Sequence, residues 1–273
     1  MQNTADLWEV LCRDFQTQRS QLTQAQHLEA AAQFLASARQ VLPAGSLRLS
    51  DAYEMAGDLC HAARGDDRAI PYYLEALRLS SGSGVIESSA RVAGKLAILR
   101  EEADQLSDAV AMFEQAIALF KQAGDHRQLA ALLSHCAALE RRLGDQAKAR
   151  RHYEEAIRVA VELHGESHAE VAVFLNNFGV ALCEWRLFAE AEICHLRALQ
   201  ICESAYGSTH PDVGQSLGNL AVLYHIQRDL PRATKFYQAA IQVLSRSRDP
   251  NDPDLQMLKA GFDQLGKSTR RIQ

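Results

Sequence analysis

Cysteine and histidine are the residues of this chain that could act as nucleophiles, general bases or metal ligands. The sequence has six cysteines and ten histidines, and no two cysteines show the CxxC spacing of a zinc or redox motif. Cys194 and His195 are adjacent, but consecutive helical residues point in different directions, so we do not expect a nucleophile–base pair. His164 and His168 fall in a turn that is too irregular to present two ligands on one helix face.

Motifs of cofactor-dependent enzymes are missing from the sequence. It contains no GxxxxGK[ST], GxGxxG, HExxH or GxSxG pattern, and the KST at 267–269 follows no glycine-rich loop. We therefore predict that the protein is not an enzyme and has no catalytic residue, no cofactor and no metal site.

Charge and hydropathy exclude two classes of partner. The formal net charge is −5, without the basic footprint of a nucleic-acid-binding protein. No stretch reaches the ~18 apolar residues of a membrane span, and the first residues do not form a signal peptide. Scattered cysteines are typical of a reducing compartment. The expectation is a cytoplasmic protein that binds neither nucleic acid nor membranes.

The composition predicts helices. Hydrophobic residues make up 47% of the 273 residues and aromatic residues only 7%, while Ala occurs 43 times, Gly 15 times and Pro 6 times. Alanine favours helix, and a sandwich, barrel or doubly wound sheet would need more turn residues and more β-branched or aromatic runs. We predict an all-α protein.

A spaced pattern of a small residue, a ring and an alanine occurs five times. The ring follows the first small residue by four positions, and the alanine follows the ring by three. The copies begin at Ala69, Ala109, Ala149, Ala191 and Ala233, with steps of 40, 40, 42 and 42 residues. A further small residue lies twelve positions before each copy, at Gly57, Ala97, Ala137, Gly179 and Ala221. Small residues at fixed spacing let two helices approach closely.

This pattern resembles the tetratricopeptide repeat, whose usual period is 34 residues. Residues 165–244 also resemble the kinesin light chain type of repeat, which has G-x-x-H-P-x-V, L-N-N-L-A-x-L-Y, E-A-E and R-A-L. The corresponding segments here include GSTHPDV, LNNFGVAL, LGNLAVLY, EAE and RAL. The resemblance implies a right-handed α–α superhelical solenoid of about six helix pairs plus a C-terminal capping helix.

We expect a single domain over residues 1–273. It would comprise a cryptic N-terminal repeat over 1–46, five repeats over 47–247, and a capping helix and tail over 248–273. The SGSG at 81–84 is predicted to be a loop between repeats. Gly207 is expected to end a helix in the left-handed conformation, and Pro211 to begin the next helix.

In the resembled architecture, the first helix of each pair lines a concave groove. Counting from the repeated small residues predicts these groove residues: Arg91, Lys95, His135, Arg141, Asn176, Asn177, Asn219 and His225. Asp51, Glu54 and Asp58 would make an acidic start to the groove, followed by a basic middle and a neutral amide end.

The kinesin light chain resemblance assigns a role to two of these amides. In that family the second Asn of L-N-N contacts the cargo peptide, and the role carries over to Asn177 and Asn219 but not to Lys95 or His135. The alternative for the amides is that they bridge neighbouring helices or face water. A light chain also has a long coiled coil before its repeats, and none is seen here, so motor attachment is not expected.

The sequence favours a non-catalytic scaffold that binds an extended peptide or a partner protein in the groove. The alternative is a peptide-sensing regulatory protein whose repeats change shape to control a partner. A fall in scattering radius on peptide addition would distinguish this regulator from a passive scaffold. The partner and the oligomeric state are left open.

Overall fold

The structure, a computed structural model, describes residues 4–19, 22–124 and 126–270. These residues form thirteen α-helices and no strand, as predicted. The helices are α1 Thr4–Arg19, α2 Gln24–Val41, α3 Leu47–Ala62, α4 Asp66–Ser83, α5 Ile86–Glu102, α6 Leu106–Ala123, α7 Leu129–Leu143, α8 Gln146–His164, α9 Ala169–Glu184, α10 Phe188–Tyr206, α11 Pro211–Ile226, α12 Leu230–Leu244 and α13 Pro253–Arg270.

The chain divides into two compact units, residues 1–132 and 133–273. In the N-terminal unit, each of α1 to α5 packs against the helix that follows it. The two helices expected before residue 43 are present as α1 and α2, where Phe15 stacks on Phe34 with 4.0 Å between ring centroids. Their apolar side chains join the same core as those of α3 and α4.

The core of the C-terminal unit runs from the end of α7 to α13. Rings and leucines fill the space between its helices, including Tyr153, Phe178 and Tyr237. The final helix closes this core with Leu255 and Leu258, which are buried. The predicted capping helix is therefore confirmed as α13, which contacts both helices of the last pair.

The small residues of the repeat lie where two helices meet most closely. All fifteen small positions of the five copies are buried. A Cβ placed on Gly57 would lie 2.7 Å from the ring of Tyr73, and one placed on Gly179 would collide with the ring of His195. The second helix of each pair therefore presses a ring onto the small residue of the first helix.

Two predictions about helix ends are wrong. Helix α4 continues through the serines and glycine of SGSG to Ser83, because Gly84 alone adopts the left-handed conformation (φ 72°, ψ 10°) that ends it. Gly207 has a positive φ of 81°, but its ψ of 163° is extended rather than left-handed helical. This extended backbone carries the chain away from α10 toward the start of α11.

The predicted starts of α9 and α11 are confirmed. Helix α9 begins at Ala169 and α11 begins at Pro211. In each case the preceding histidine caps the helix, because Nδ1 of His168 accepts the backbone N–H of Glu170 and Nδ1 of His210 accepts that of Asp212. These contacts satisfy backbone donors that have no partner inside a helix.

A left-handed residue occupies the same place in every turn within a helix pair. Its φ lies between 54° and 86°, and the steps along the chain again match the repeat. The residues are Arg64, Asp104, Gly144, Arg186 and Arg228. Because a side chain with a Cβ is strained in this conformation, only the turn at Gly144 is free of that strain.

No helix among the described residues is long and apolar enough to cross a membrane.

We predict that Ala198→Leu destabilises the protein. Ala198 is fully buried in α10, so added methyl groups force side chains and backbone apart at a cost of roughly 1–3 kcal/mol. Thermal melting followed by circular dichroism measures the effect. Ala205→Leu, an exposed site on the same helix, is the matched control and should melt like the wild type; equal melting of the Ala198 variant would contradict the close packing.

We predict that Arg228→Gly stabilises the protein by roughly 0.5–1 kcal/mol. The substitution relieves left-handed strain of about 1–2 kcal/mol, offset in part by the greater freedom of glycine in the unfolded chain. Urea unfolding measures the change. Arg151→Gly, within α8, is the control and should destabilise, since glycine is a poor helix former; a loss of stability in both variants would refute the strain at Arg228.

Candidate functional site

Three neighbouring cavities follow the first helices of the pairs in the C-terminal unit. A cavity of about 230 Å³ lies along α7 and α9, and one of about 200 Å³ lies along α9 and α11. A smaller cavity of about 50 Å³ lies between α11 and α13. Asn177 lines the first two cavities and Asn219 the last two, so the cavities form one continuous surface.

Two rows of side chains define this surface. The amide row consists of His135, Asn177 and Asn219, one residue from each of α7, α9 and α11. The apolar row lies three residues further along each helix and consists of Ala138, Val180 and Val222. All six residues line the cavities, because positions i and i+3 share one face of a helix.

The two asparagines of the amide row have unused hydrogen-bonding capacity. Nδ2 of Asn177 donates to Oγ of Ser134 at 3.2 Å, and the Asn177 side chain is otherwise exposed. The side chain of Asn219 is half-buried and makes no hydrogen bond within the described part of the chain. Since an amide carries both donors and an acceptor, both side chains can still bind a ligand.

Asn176 differs from its neighbour because both ends of its amide bind inside the protein. Its Nδ2 donates to Oγ of Ser216 on α11 at 2.9 Å, and its Oδ1 lies 3.0 Å from Nδ1 of His195 on α10. Asn176 touches the cavity, but it bridges helices as the sequence alternative described. It is therefore part of the scaffold that holds the amide row.

His195 is a buried, neutral member of this scaffold. It is 1% exposed, and burial lowers its pKa to about 4. Because the neighbouring amide uses its N–H₂ on Ser216, Nδ1–H of the neutral imidazole donates to Asn176. Nε2 then faces Sγ of Cys183 at 4.0 Å. His195 thus contacts Cys183 rather than its sequence neighbour Cys194.

The thiols beside this histidine are poor nucleophiles. Burial raises the pKa of Cys183 and that of Cys194 to about 11. Since the thiolate is the reactive form of cysteine, neither side chain reacts readily at neutral pH.

Two other predicted groove residues have partners within the C-terminal unit. Arg141 lines the first cavity, and its guanidinium forms an ion pair with Glu184. Nδ1 of His225 lies 3.2 Å from the hydroxyl of Tyr237, and the two rings meet edge to face. His225 does not line the three cavities, so the structure does not bring it to the amide row.

Arg91 and Lys95 belong to an ion-pair network in the N-terminal unit. Arg91 donates two hydrogen bonds to the carboxylate of Glu54, at 2.8 and 2.9 Å. Lys95 contacts Glu54 at 2.8 Å and Asp58 at 2.6 Å, and Asp58 also accepts from Tyr73 at 2.7 Å. The predicted separation into an acidic start and a basic middle is therefore wrong here, because these charges pair across α3 and α5.

The ionised form of Glu54 is the stable form. Burial raises the pKa of this carboxyl, but the hydrogen bonds and charges of Arg91 and Lys95 outweigh burial, so the pKa lies below its usual value. The neighbouring Asp51 has a raised pKa because of burial and the charge of Glu54. The network therefore depends on one nearly buried carboxylate.

His164 and His168 meet at the junction of α8 and α9. Their rings stack with 4.4 Å between centroids, and Nε2 of His164 lies 2.7 Å from the carboxylate of Glu170. All three side chains are exposed. The helix-start role predicted for these histidines is confirmed for His168, while the ion pair accounts for His164.

The apolar row contains the residues that the sequence analysis missed. Val180 is 38% exposed although it is a large apolar side chain. Its position was available as a signal, because Ala138, Val180 and Val222 each lie three residues after a predicted groove residue. The repeat count used the polar positions alone and so described only one of the two rows.

The fold and the rows of first helices agree with a comparison against protein families. The family model of the tetratricopeptide repeat matches residues 88–162 and 170–246, which is more than half of the chain. The chain belongs to the tetratricopeptide repeat family.

A curated relative and two solved structures are similar to this chain. Human tetratricopeptide repeat protein 19, mitochondrial, is 27% identical over 160 residues, which cover 58% of this chain and 40% of that protein. BtubC (BKLC) from P. vanneervenii has a TM-score of 0.70 at 22% identity, covering 84% of this chain and 95% of that chain. The apo form of RapI has a TM-score of 0.70 at 17% identity, with coverages of 88% and 69%.

These similarities differ in what they establish. The chain spans less than half the length of the human relative, and the two structures support the helical-repeat fold alone. The narrower resemblance of residues 165–244 to kinesin light chain repeats stays a prediction.

We predict that Glu54→Gln destabilises the protein by about 2 kcal/mol at pH 7, because a broken buried ion pair costs ~3–5 kcal/mol and both cations here keep some contact with water. A lowered folded-state pKa contributes stability above the unfolded pKa of about 4.3, and that stability is lost as pH falls through the folded pKa. Urea unfolding at pH 7 and pH 3.5 should therefore show the two proteins converging in acid.

The control for this prediction is Glu75→Gln, which removes an exposed ion pair with Arg78. Exposed pairs contribute little, so this variant should resemble the wild type at both pH values. A difference between wild type and the Glu54 variant that is unchanged at pH 3.5 would contradict the assigned ionisation.

Proposed function

We propose that the protein is a non-catalytic interaction scaffold and that residues 133–270 bind an extended segment of a partner protein. The segment would lie along the amide row and the apolar row. The tetratricopeptide repeat fold is suited to protein partners in general. The observation that carries the finer proposal is the unused hydrogen-bonding capacity of Asn177 and Asn219 beside exposed valines.

The spacing of the rows suits an extended chain. Packed helices lie about 8–10 Å apart, and an extended peptide advances about 3.3 Å per residue. About three residues would therefore pass each first helix, and about six would reach from His135 to Asn219. Side-chain amides at this interval can pair with the peptide backbone, whose donors and acceptors do not depend on its sequence.

The chemistry of the surface favours an uncharged segment with apolar side chains. Val173, Val180 and Val222 border the cavities beside the amides. The nearby cations are already neutralised, since Arg141 pairs with Glu184, and Arg248 pairs with Asp252 and Asp254. We therefore expect binding that depends weakly on salt.

The proposal is confined to the C-terminal unit. Arg91 and Lys95 of the N-terminal unit are held by Glu54 and Asp58, and a ligand would have to compete with these contacts. Side chains held on rigid helices lose little freedom on binding, and Asn176 and His195 supply that rigidity beneath the amide row.

We also propose a cytoplasmic location. None of the six cysteines is in a disulfide, which is typical of a reducing compartment. The human relative is named as mitochondrial, and imaging of a fluorescent fusion in the source cell distinguishes the two compartments.

We predict that Asn177→Ala with Asn219→Ala weakens peptide binding at least about tenfold. Each lost hydrogen bond costs ~0.5–1.5 kcal/mol, and about 1.4 kcal/mol corresponds to a factor of ten. The probe is a peptide selected from a random library displayed on phage and panned on the whole chain. Calorimetry measures its affinity, and the melting temperature should change by no more than a few degrees.

The matched control removes two exposed amides from second helices, by Gln200→Ala with Gln238→Ala, and should bind the peptide as the wild type does. Asn176→Ala should lower stability instead, because its amide is bonded within the protein. Failure to select any peptide, or equal affinity for the Asn177/Asn219 variant, would overturn the proposal.

A further inference from the structure

A cysteine, a glutamate and a histidine meet in the interior of the α7–α8 helix pair. Cys136 and Glu140 lie one turn apart on α7, and His152 lies on α8. Cys136 and Glu140 are no more than 1% exposed, and the His152 side chain is 18% exposed. One donor atom from each residue lies within 4.8 Å of the other two, and Nδ1 of His152 is 2.8 Å from Oε2 of Glu140.

This cluster occupies positions that are apolar in the two repeats that follow it. The repeat steps of 42 residues identify the equivalent positions in the later pairs. They are Phe178, Leu182 and Cys194 in the next pair, and Leu220, Tyr224 and Phe236 in the last pair. Tyr224 and Phe236 stack with 5.3 Å between centroids, at the place that Glu140 and His152 occupy in α7 and α8. The fold therefore does not itself require polar groups at this point.

One oxygen of this cluster has no partner. Oε1 of Glu140 is buried and accepts no hydrogen bond within the described part of the chain, while Oε2 contacts His152. A buried carboxylate oxygen without a partner is unfavourable. A cation bound among the three side chains would satisfy this oxygen, whereas packing alone does not.

The donor atoms select the type of cation. Calcium and magnesium take oxygen ligands, and soft copper(I) prefers sulfur. A thiolate, an imidazole and a carboxylate together are ligands of Zn²⁺, which often binds three protein side chains and one water. The partly exposed side of His152 leaves room for that water.

We propose that Cys136, Glu140 and His152 bind Zn²⁺. On binding, the thiol of Cys136 releases its proton to solvent and its sulfur bonds to the metal. The metal replaces the proton between Nδ1 of His152 and Glu140, and the neutral imidazole keeps a proton on Nε2. One proton leaves for each Zn²⁺ bound, consistent with the deprotonated ligands that metals require.

The bound metal joins α7 to α8 at the edge of the candidate peptide surface. His135 and Arg141 of the first cavity flank the ligand residues on α7. The site does not depend on the proposed function, because its contacts are independent of Asn177 and Asn219. Loss of metal binding and loss of peptide binding are therefore separate results.

The first experiment follows Co²⁺ binding to the reduced whole chain after treatment with a chelator. Co²⁺ bound to a thiolate has a charge-transfer absorption in the near ultraviolet, and Zn²⁺ should abolish it by displacement. We expect one Co²⁺ per chain, no charge-transfer band in Cys136→Ser, and affinity weakened at least about 100-fold in Glu140→Gln and His152→Gln, since even residues behind the ligands cost ~10–100-fold.

His164→Gln with His168→Gln is the matched control, because it removes the exposed histidines of the α8–α9 junction and should leave the signal unchanged. The absence of a charge-transfer band in the wild type, its persistence in Cys136→Ser, or its loss in the control would each overturn the proposal.

A second variant separates metal binding from folding. Glu140→Leu with His152→Met places in α7 and α8 the apolar residue types found at Leu182 and Met112. Replacing a buried ion pair with apolar groups is often neutral or stabilising, so this variant should fold without metal. Zn²⁺ at about 100 times its Kd should raise the melting temperature of the wild type by several degrees but not that of the variant; equal responses would contradict the site.

Discussion

The contact between a small residue on the first helix of a pair and a ring on the second determines the geometry of each repeat. Gly57 against Tyr73 and Gly179 against His195 leave no space for a Cβ. This contact places the two helices at a close, fixed separation, so that the same residue of each turn is left-handed. Because the first helices are repeated in this way, equivalent side chains align in rows, and the amide and apolar rows follow.

The C-terminal unit departs from an apolar repeat at two places. His195 replaces the aromatic ring of the pattern and forms a buried chain with Asn176 and Cys183. Glu140 and His152 form the second departure, at positions that are apolar in the later repeats. Departures from local rules are expected where a protein binds something or carries strain. Both lie beneath the surface that we propose for the partner segment.

The sequence predicts the helices well because their signal is local and repeated. Small residues and rings recur at steps of 40 or 42 residues, and all of the small positions are buried. Helix ends are less predictable, because a single residue decides them: Gly84 ends α4 after three residues that resembled a loop. A short polar segment is compatible with both outcomes.

Side-chain pairing could not be predicted from repeat position alone. Arg91 and Glu54 are 37 residues apart in sequence, and their contact depends on how α3 and α5 pack. Asn176 and Asn177 are neighbours of one type, yet the first bonds inward and the second is exposed. The apolar row was visible as a position three residues beyond each groove residue, but its exposure is a property of the packed structure.

The central claim is that the amide row contacts the partner segment directly. The most direct measurement is the nitrogen–proton spectrum of the side-chain amides during titration with a selected peptide. The account predicts that the Nδ2–H signals of Asn177 and Asn219 shift and saturate together, while those of Gln200 and Gln238 stay in place. Shifts at the two glutamines with unchanged asparagine signals would place the partner on the second helices and contradict the account.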